Sequence, residues 1–328
     1  MPEPKAGRRH WTGKAAIIAE THFKVELRSS IPNPKLTKQT TPRCILKRRE
    51  FVQGTLVGLA GLALPQTAFA ASPKMKLGLV TYQWGKDWDL PTVIKNCELT
   101  GFAGVELRST HKHGVEISLN AEQRAEVRKR FADSPVELVG LGSACEYHSA
   151  EPAVLKKNID ETKEFIKLCR DTGGSGVKVR PNGFVKDVPH QQTLEQIGKS
   201  LREVGVFGAE HGVQIRLEVH GRETCLLPNI REMLDVADHP NVVLCWNCNP
   251  TDMEGEGLEA NYRLVEKEIG TIHIHDLRNQ QYPWGQLFQL LRGSGFDGWT
   301  LMEEGKIPDD LIQSMRENRV IWQKLASV

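Results

Sequence analysis

Gln214-Ile-Arg-Leu-Glu-Val-His-Gly221 is the stretch on which the fold turns. It follows a segment with helical periodicity and a glycine, runs for a few strand-forming residues, and stops in ionisable side chains. Downstream the same arrangement recurs at Val242–Trp246, Thr271–His275 and Trp299–Met302. Upstream it is found at Lys76–Tyr82, Gly104–Leu107, Val136–Leu141 and Gly176–Val179. Amphipathic stretches lie between, among them Glu151–Thr172, Thr193–His211 and Pro308–Leu325. Gly173-Gly174, Gly212 and Gly270 stand where helices should stop and a left-handed residue is needed. Eight strand-then-helix units in roughly 250 residues predict an α/β fold, a single-domain (β/α)8 TIM barrel over residues 75–328. A doubly wound open sheet is the competitor, but no Gly-x-Gly-x-x-Gly turn follows the first strand.

In such a barrel the chemistry is built where strands end and the following loops begin. The ionisable residues of this chain fall there. Glu218 and His220 end the fifth run, Asn247 the sixth, His273 and His275 the seventh, and Glu303 the eighth. Glu218, Asn247, His273 and Glu303 are separated by 29, 26 and 30 residues, about one strand–helix unit each. Equivalent heights on four neighbouring strands would aim them at one point. Two carboxylates, an imidazole and an amide oxygen form a mixed nitrogen–oxygen set suited to one divalent cation: Mn²⁺, Mg²⁺, Co²⁺ or Zn²⁺. Alone, each has a plainer reading, as a helix cap, a solvated loop residue or a hydrogen-bonded core histidine. His273 and His275 share a strand face, so periodicity does not choose between them.

The N-terminal part reads as an address. Lys47-Arg-Arg49 precedes a short apolar run, Gly54–Leu64, and then Thr67-Ala-Phe-Ala-Ala71, the parts of a twin-arginine signal peptide at residues 47–70 with cleavage after Ala70. The run is shorter than the ~20 residues that span a bilayer, which predicts no stable membrane anchor. Residues 1–46 show no periodicity and read as a disordered leader or a mis-assigned start. The expected location is periplasmic or secreted. Twin-arginine export carries folded proteins, which suits a protein that acquires its metal before crossing. The formal charge of +2 conceals this division, because the first 70 residues carry 12 Lys/Arg against 4 Asp/Glu. The remainder, with 31 basic and 37 acidic residues, offers no basic face for nucleic acid. Of seven cysteines, Cys44 lies in the leader. Cys245-x-x-Cys248 has no second pair to complete a zinc site and reads as a strand core residue plus a loop thiol.

Gly101-Phe-Ala-Gly-Val-Glu-Leu-Arg108, Leu217-Glu-Val-His-Gly221, His273-Ile-His-Asp276 and Gly295-Phe-Asp-Gly-Trp-Thr-Leu-Met-Glu303 occur in this order. With them the chain resembles the sugar phosphate isomerase/epimerase family, the xylose isomerase-like TIM barrels, from about Met75 to Leu325. The resemblance implies a metal tetrad of Glu, Asp, His and Glu, matched here by Glu218, Asn247, His273 and Glu303. Asn247 departs from the family's Asp and removes one negative charge. It further implies proton transfer beside a carbonyl through an enediolate, with Glu218 and Glu303 exchanging the proton and the metal polarising substrate oxygens. A small carbohydrate or hydroxy-carbonyl compound is the implied substrate. Family members often form dimers or tetramers, which favours a homo-oligomer.

His220, Glu106, His148 and His275 are further candidates for contacting substrate. Lys178 and Arg180 share one face of the fourth strand; they either bind an anionic or polyhydroxylated substrate or pair with Glu106 and Glu146. Rival functions are a keto-sugar lyase, hydratase or dehydratase on the same site, and a non-catalytic carbohydrate-binding barrel suggested by Asn247. An apurinic-site endonuclease would need more metal ligands and a basic DNA track.

Overall fold

The computed structural model describes residues 74–327; the expected leader and the twin-arginine stretch lie outside them. Eight parallel strands close into a barrel in sequence order, β8 pairing back onto β1. They are β1 (Lys76–Val80), β2 (Gly104–Arg108), β3 (Glu137–Glu146), β4 (Gly176–Arg180), β5 (Gln214–Glu218), β6 (Val242–Asn247), β7 (Ile269–Ile274) and β8 (Trp299–Met302). Each is followed by its helix: α1 (Leu90–Thr100), α2 (Ala121–Ala132), α3 (Pro152–Thr172), α4 (His190–Glu210), α5 (Leu227–Ala237), α6 (Leu258–Val265), α7 (Trp284–Ser294) and α8 (Leu311–Ser327). A short 3-10 helix, Pro250–Met253, interrupts the loop after β6. This is the (β/α)8 TIM barrel that the repeating units predict. Among the described residues no helix is long and apolar enough to cross a membrane.

The helices form because their apolar residues recur on one face. In α4, Leu194, Ile197, Leu201 and Val204 are buried at helical spacing. Gly198 completes that face, since a Cβ there would come within 2.5 Å of Val236 on α5. Gly173 stops α3 with φ 92°, as expected. Gly270 does not stop a helix: α6 ends at Val265, and β7 begins two residues earlier than predicted and includes Gly270. The cause is packing, because a Cβ at Gly270 would approach Val243 on β6 to 2.6 Å. β3 runs past its predicted end at Leu141 to Glu146, with a register shift against β4 that the sequence pattern does not show.

The barrel interior is polar as well as apolar. Arg216 on β5 lies one layer deeper than Glu218, buried, donating to the Val139 carbonyl at 3.1 Å and the Ser175 hydroxyl at 2.9 Å. Gly176 makes room for it; a Cβ there would stand 2.3 Å from the guanidinium carbon. All six cysteines of the described residues are free, with Cys245 and Cys248 both buried.

Candidate active site

Register explains how four strand ends meet. Asn247 pairs directly with His273, whereas Glu218 pairs with Cys245 and His273 with Leu301. Glu218 and His273 therefore each stand two residues below the next site residue along the ladder. Strands in a barrel tilt against its axis, and the tilt restores these staggered positions to a common height. The uneven spacings of 29, 26 and 30 residues are that stagger written in the sequence.

The side chains converge. His273 Nδ1 lies 3.2 Å from Glu303 Oε2 and 3.4 Å from Glu218 Oε1. One ligand atom from each of Glu218, His273 and Glu303 falls within 4.8 Å of the others. Asn247 bridges the two carboxylates, its Nδ2 donating to Glu218 Oε1 at 2.9 Å and to Glu303 Oε2 at 3.1 Å. Behind the imidazole, Glu106 Oε1 stands 3.4 Å from His273 Nε2. All five residues are buried.

Lys178 joins this cluster from β4, donating to Glu218 Oε2 at 2.7 Å while only 2 % exposed. Its partner is thus Glu218, not the Glu106 that the sequence offered. Glu218 stands two residues beyond Arg216, the residue that pairs with Lys178 on neighbouring β5, whereas Glu106 lies on β2, two strands away. Burial disfavours the charged form of each group here, and proximity overcomes it. Burial raises the Glu218 pKa, but Lys178, His273 and His220 outweigh it and hold the carboxyl well below its ordinary range. Burial likewise opposes ionised Glu303, and His273 overcomes that, leaving its pKa lowered. His273 is held well above the usual histidine range, its burial outweighed by Cys245, Glu303 and Glu106.

The residues present fit a divalent cation. Three donors already face one another, and Asn247 Oδ1 is buried without a hydrogen-bond partner. A half-turn of that amide would exchange its nitrogen for its oxygen between the carboxylates. Glu218, His273, Glu303 and Asn247 Oδ1 would then supply one nitrogen and three oxygens.

The remaining candidates are distributed around the mouth. Arg180 pairs with Glu146 at 2.5 Å, and His148 Nδ1 lies 3.7 Å from the same carboxylate. His220 follows β5, half-buried, its Nδ1 without a partner and its pKa lowered by burial. His273 and His275 separate clearly: the strand ends at Ile274, and His275 Nδ1 turns to the Glu303 carbonyl at 2.5 Å. Glu106 lies beneath His273, where the cluster itself covers it.

Sequence reasoning missed Arg216 and Asp252. Asp252 is fully buried, accepting from Tyr282 Oη at 2.6 Å and from Trp246 Nε1 at 3.1 Å. The Asn249-Pro-Thr-Asp252 pattern, a helix cap with a carboxylate three residues on, was the available signal.

The model of the xylose isomerase-like TIM barrel family matches residues 94–323. An L-ribulose 3-epimerase of Mesorhizobium japonicum is 21% identical, over 76% of this chain and 88% of its own. A probable ketose 3-epimerase of Synechocystis is 19% identical, over 78% and 92%. Among solved structures, the IOLI protein with a binding zinc atom superposes with a TM-score of 0.67 at 17% identity, covering 77% of this chain and 98% of that one.

Proposed function

The chain belongs to the family of xylose isomerase-like TIM barrels, and from that membership we propose that it is a metal-dependent sugar isomerase or epimerase. Its reaction moves a proton on the carbon beside a carbonyl, through an enediolate. The observation that carries this reading is the pair of buried carboxylates, Glu218 and Glu303, brought together by His273 and bridged by Asn247. Both are held in the ionised form that can accept a proton.

Glu218, Asn247, His273 and Glu303 would hold the cation. When bound, it supplies Lewis-acid stabilisation of the negative charge that develops on the substrate oxygens. One glutamate takes the proton and the other returns it. Lys178 fixes one oxygen of Glu218, so that its carboxylate keeps a single orientation. His220, with an unpartnered ring nitrogen at the mouth, is placed to orient a substrate hydroxyl. Positioned acid–base groups contribute about 10²- to 10⁴-fold.

The names of the relatives suggest L-ribulose and other ketoses as first substrates. Incubated with them in D₂O and Mn²⁺, the protein should exchange a proton at a carbon beside the carbonyl, read by NMR, without loss of water. Glu303→Gln should lower that exchange at least about 10²-fold with an unchanged circular dichroism spectrum. Undiminished exchange in the variant removes Glu303 from the chemistry, and an eliminated water identifies a lyase or dehydratase instead. The reading includes export by the twin-arginine route, supported by residues 47–70 alone. Protein recovered from the periplasm should begin at Ala71; recovery only as uncleaved chain in the cytoplasm would refute export.

A further inference from the structure

Glu106 is the member of the axial cluster to which proton transfer assigns no task. It is fully buried, yet neither oxygen of its carboxyl group has a hydrogen-bond partner among the described residues. Buried polar groups are nearly always hydrogen-bonded, because burial removes the water that would otherwise satisfy them. The buried cations do not answer it. Lys178 donates to Glu218, and Arg216 donates to Val139, Ser175 and Gln214. What faces Glu106 is the edge of an imidazole: His273 Nε2 lies 3.4 Å from Oε1, and this nitrogen too is buried without a partner.

The fold brings these two bare groups together across the barrel. β2 and β7 are three strands apart around the closed sheet, so Glu106 reaches His273 through the interior. A register shift against β3 falls between Val105 and Glu106. Gly142 on β3 leaves room for the carboxyl group, since a Cβ there would stand 3.0 Å from Oε1. The imidazole thus has two distinct edges. Nδ1 lies 3.2 Å from Glu303 and 3.4 Å from Glu218, whereas Nε2 is turned to Glu106. A neutral imidazole carries its proton on one nitrogen and a lone pair on the other, and the hydrogen bond made at one decides which. The Cys245 thiol also touches the ring, but a thiol is a weak acceptor.

We propose that Glu106 is the positioning residue for the metal ligand His273. Its carboxyl group accepts the Nε2 proton, which leaves the Nδ1 lone pair directed at the cation between Glu218 and Glu303. The inference rests on the reading of Glu218, Asn247, His273 and Glu303 as a cation site. It takes Glu106 out of substrate binding and gives it to the holding of the ion. At 3.4 Å the contact is longer than a formed N–H···O bond, so it is poised rather than made.

The test is calorimetric titration of the chelator-treated full chain with Mn²⁺, comparing wild type with Glu106→Leu, Glu106→Gln and Cys245→Val. Leucine is close to glutamate in size and accepts no hydrogen bond, so affinity should fall about 10- to 100-fold. Glutamine keeps an acceptor oxygen without the charge and should lose about half that free energy, a drop of about 3- to 10-fold. Cys245→Val should bind as the wild type does. In the wild-type chain loaded with diamagnetic Zn²⁺ and carrying ¹⁵N-labelled histidine, the His273 signals, assigned by their loss in His273→Gln, should show the proton on Nε2 and the metal on Nδ1. That spectrum and Glu106→Gln decide the matter even if Glu106→Leu fails to fold. Unchanged affinity in the Glu106 variants, equal losses in the two, a loss in Cys245→Val as large as that in Glu106→Leu, or a proton on Nδ1 would overturn the proposal. One ion bound by wild type and Glu106 variants alike would sink this inference alone, whereas no ion bound by the wild type would sink the cation site with it. Intact binding without exchange on any ketose would count only against the proton-transfer reading.

Discussion

Lys178 shows how a single residue sets the electrostatics of the site. With Glu106, Glu218 and Glu303 buried together, the axis carries three carboxylates. Lys178 answers one of them directly, at 2.7 Å. Its own pKa is raised, because Glu218, Glu303 and Glu106 outweigh the burial that would lower it. Removing one member of a buried pair leaves the other charge unpaired, which costs about 3–5 kcal/mol. Lys178→Met should therefore destabilise the metal-free protein on the order of 3 kcal/mol in urea denaturation. Saturating Mn²⁺ should recover part of that loss, since a cation bound only by the folded state stabilises it. A variant as stable as the wild type without metal would show that the pair contributes little. The Lys178–Glu218 pair was not legible in the sequence, whereas Arg180 does meet Glu146, one of the two carboxylates the sequence offered. Alternation along β4 showed that Lys178 and Arg180 share a face, but which carboxylate each meets depends on reach and strand tilt. The same limit applies to Asn247, whose position follows from spacing while the bridging of two carboxylates by its amide does not.

At the scale of elements, the loops after β6 and β7 are joined by Asp252. Its carboxylate holds the 3-10 helix through its own cap and grips Tyr282 across the gap. Burial raises its pKa to about 7, despite the lowering effect of the hydrogen bonds from Tyr282, Asn249 and Trp246. A carboxyl raised from its ordinary value of 3.8 binds its proton more tightly in the folded state. Its contribution to stability is full below about pH 4 and is lost as pH rises through about 7. Asp252→Asn removes this titration. The melting temperature of the wild type, measured relative to that variant, should fall between pH 4 and pH 8; a constant difference across that range would contradict the raised pKa. The elements themselves were readable because each helix has one apolar face and each strand a short β-rich run. Strand ends were less so. β3 outruns its pattern through a register shift, and Gly270 looked like a helix stop because a glycine required by neighbouring Val243 resembles one required by a turn.

At the scale of the whole molecule, the barrel turns distant sequence positions into neighbours. One strand–helix unit advances the chain by one strand, so residues separated by 85 positions, Glu218 and Glu303, come together at His273. That convergence could be anticipated from spacing; the cavity of about 450 Å³ lined by the loops after β6, β7, β8 and β1 could not, since Trp84 and Trp284 reach it from opposite ends of the barrel domain. The central claim is that these strand ends hold one cation. Calorimetric titration of the chelator-treated protein with Mn²⁺ tests it most directly. The account predicts saturation at one ion per chain, with affinity reduced at least about a hundredfold in Glu218→Gln and in His273→Ala. Absence of saturable binding, or binding that survives both substitutions unchanged, would contradict it.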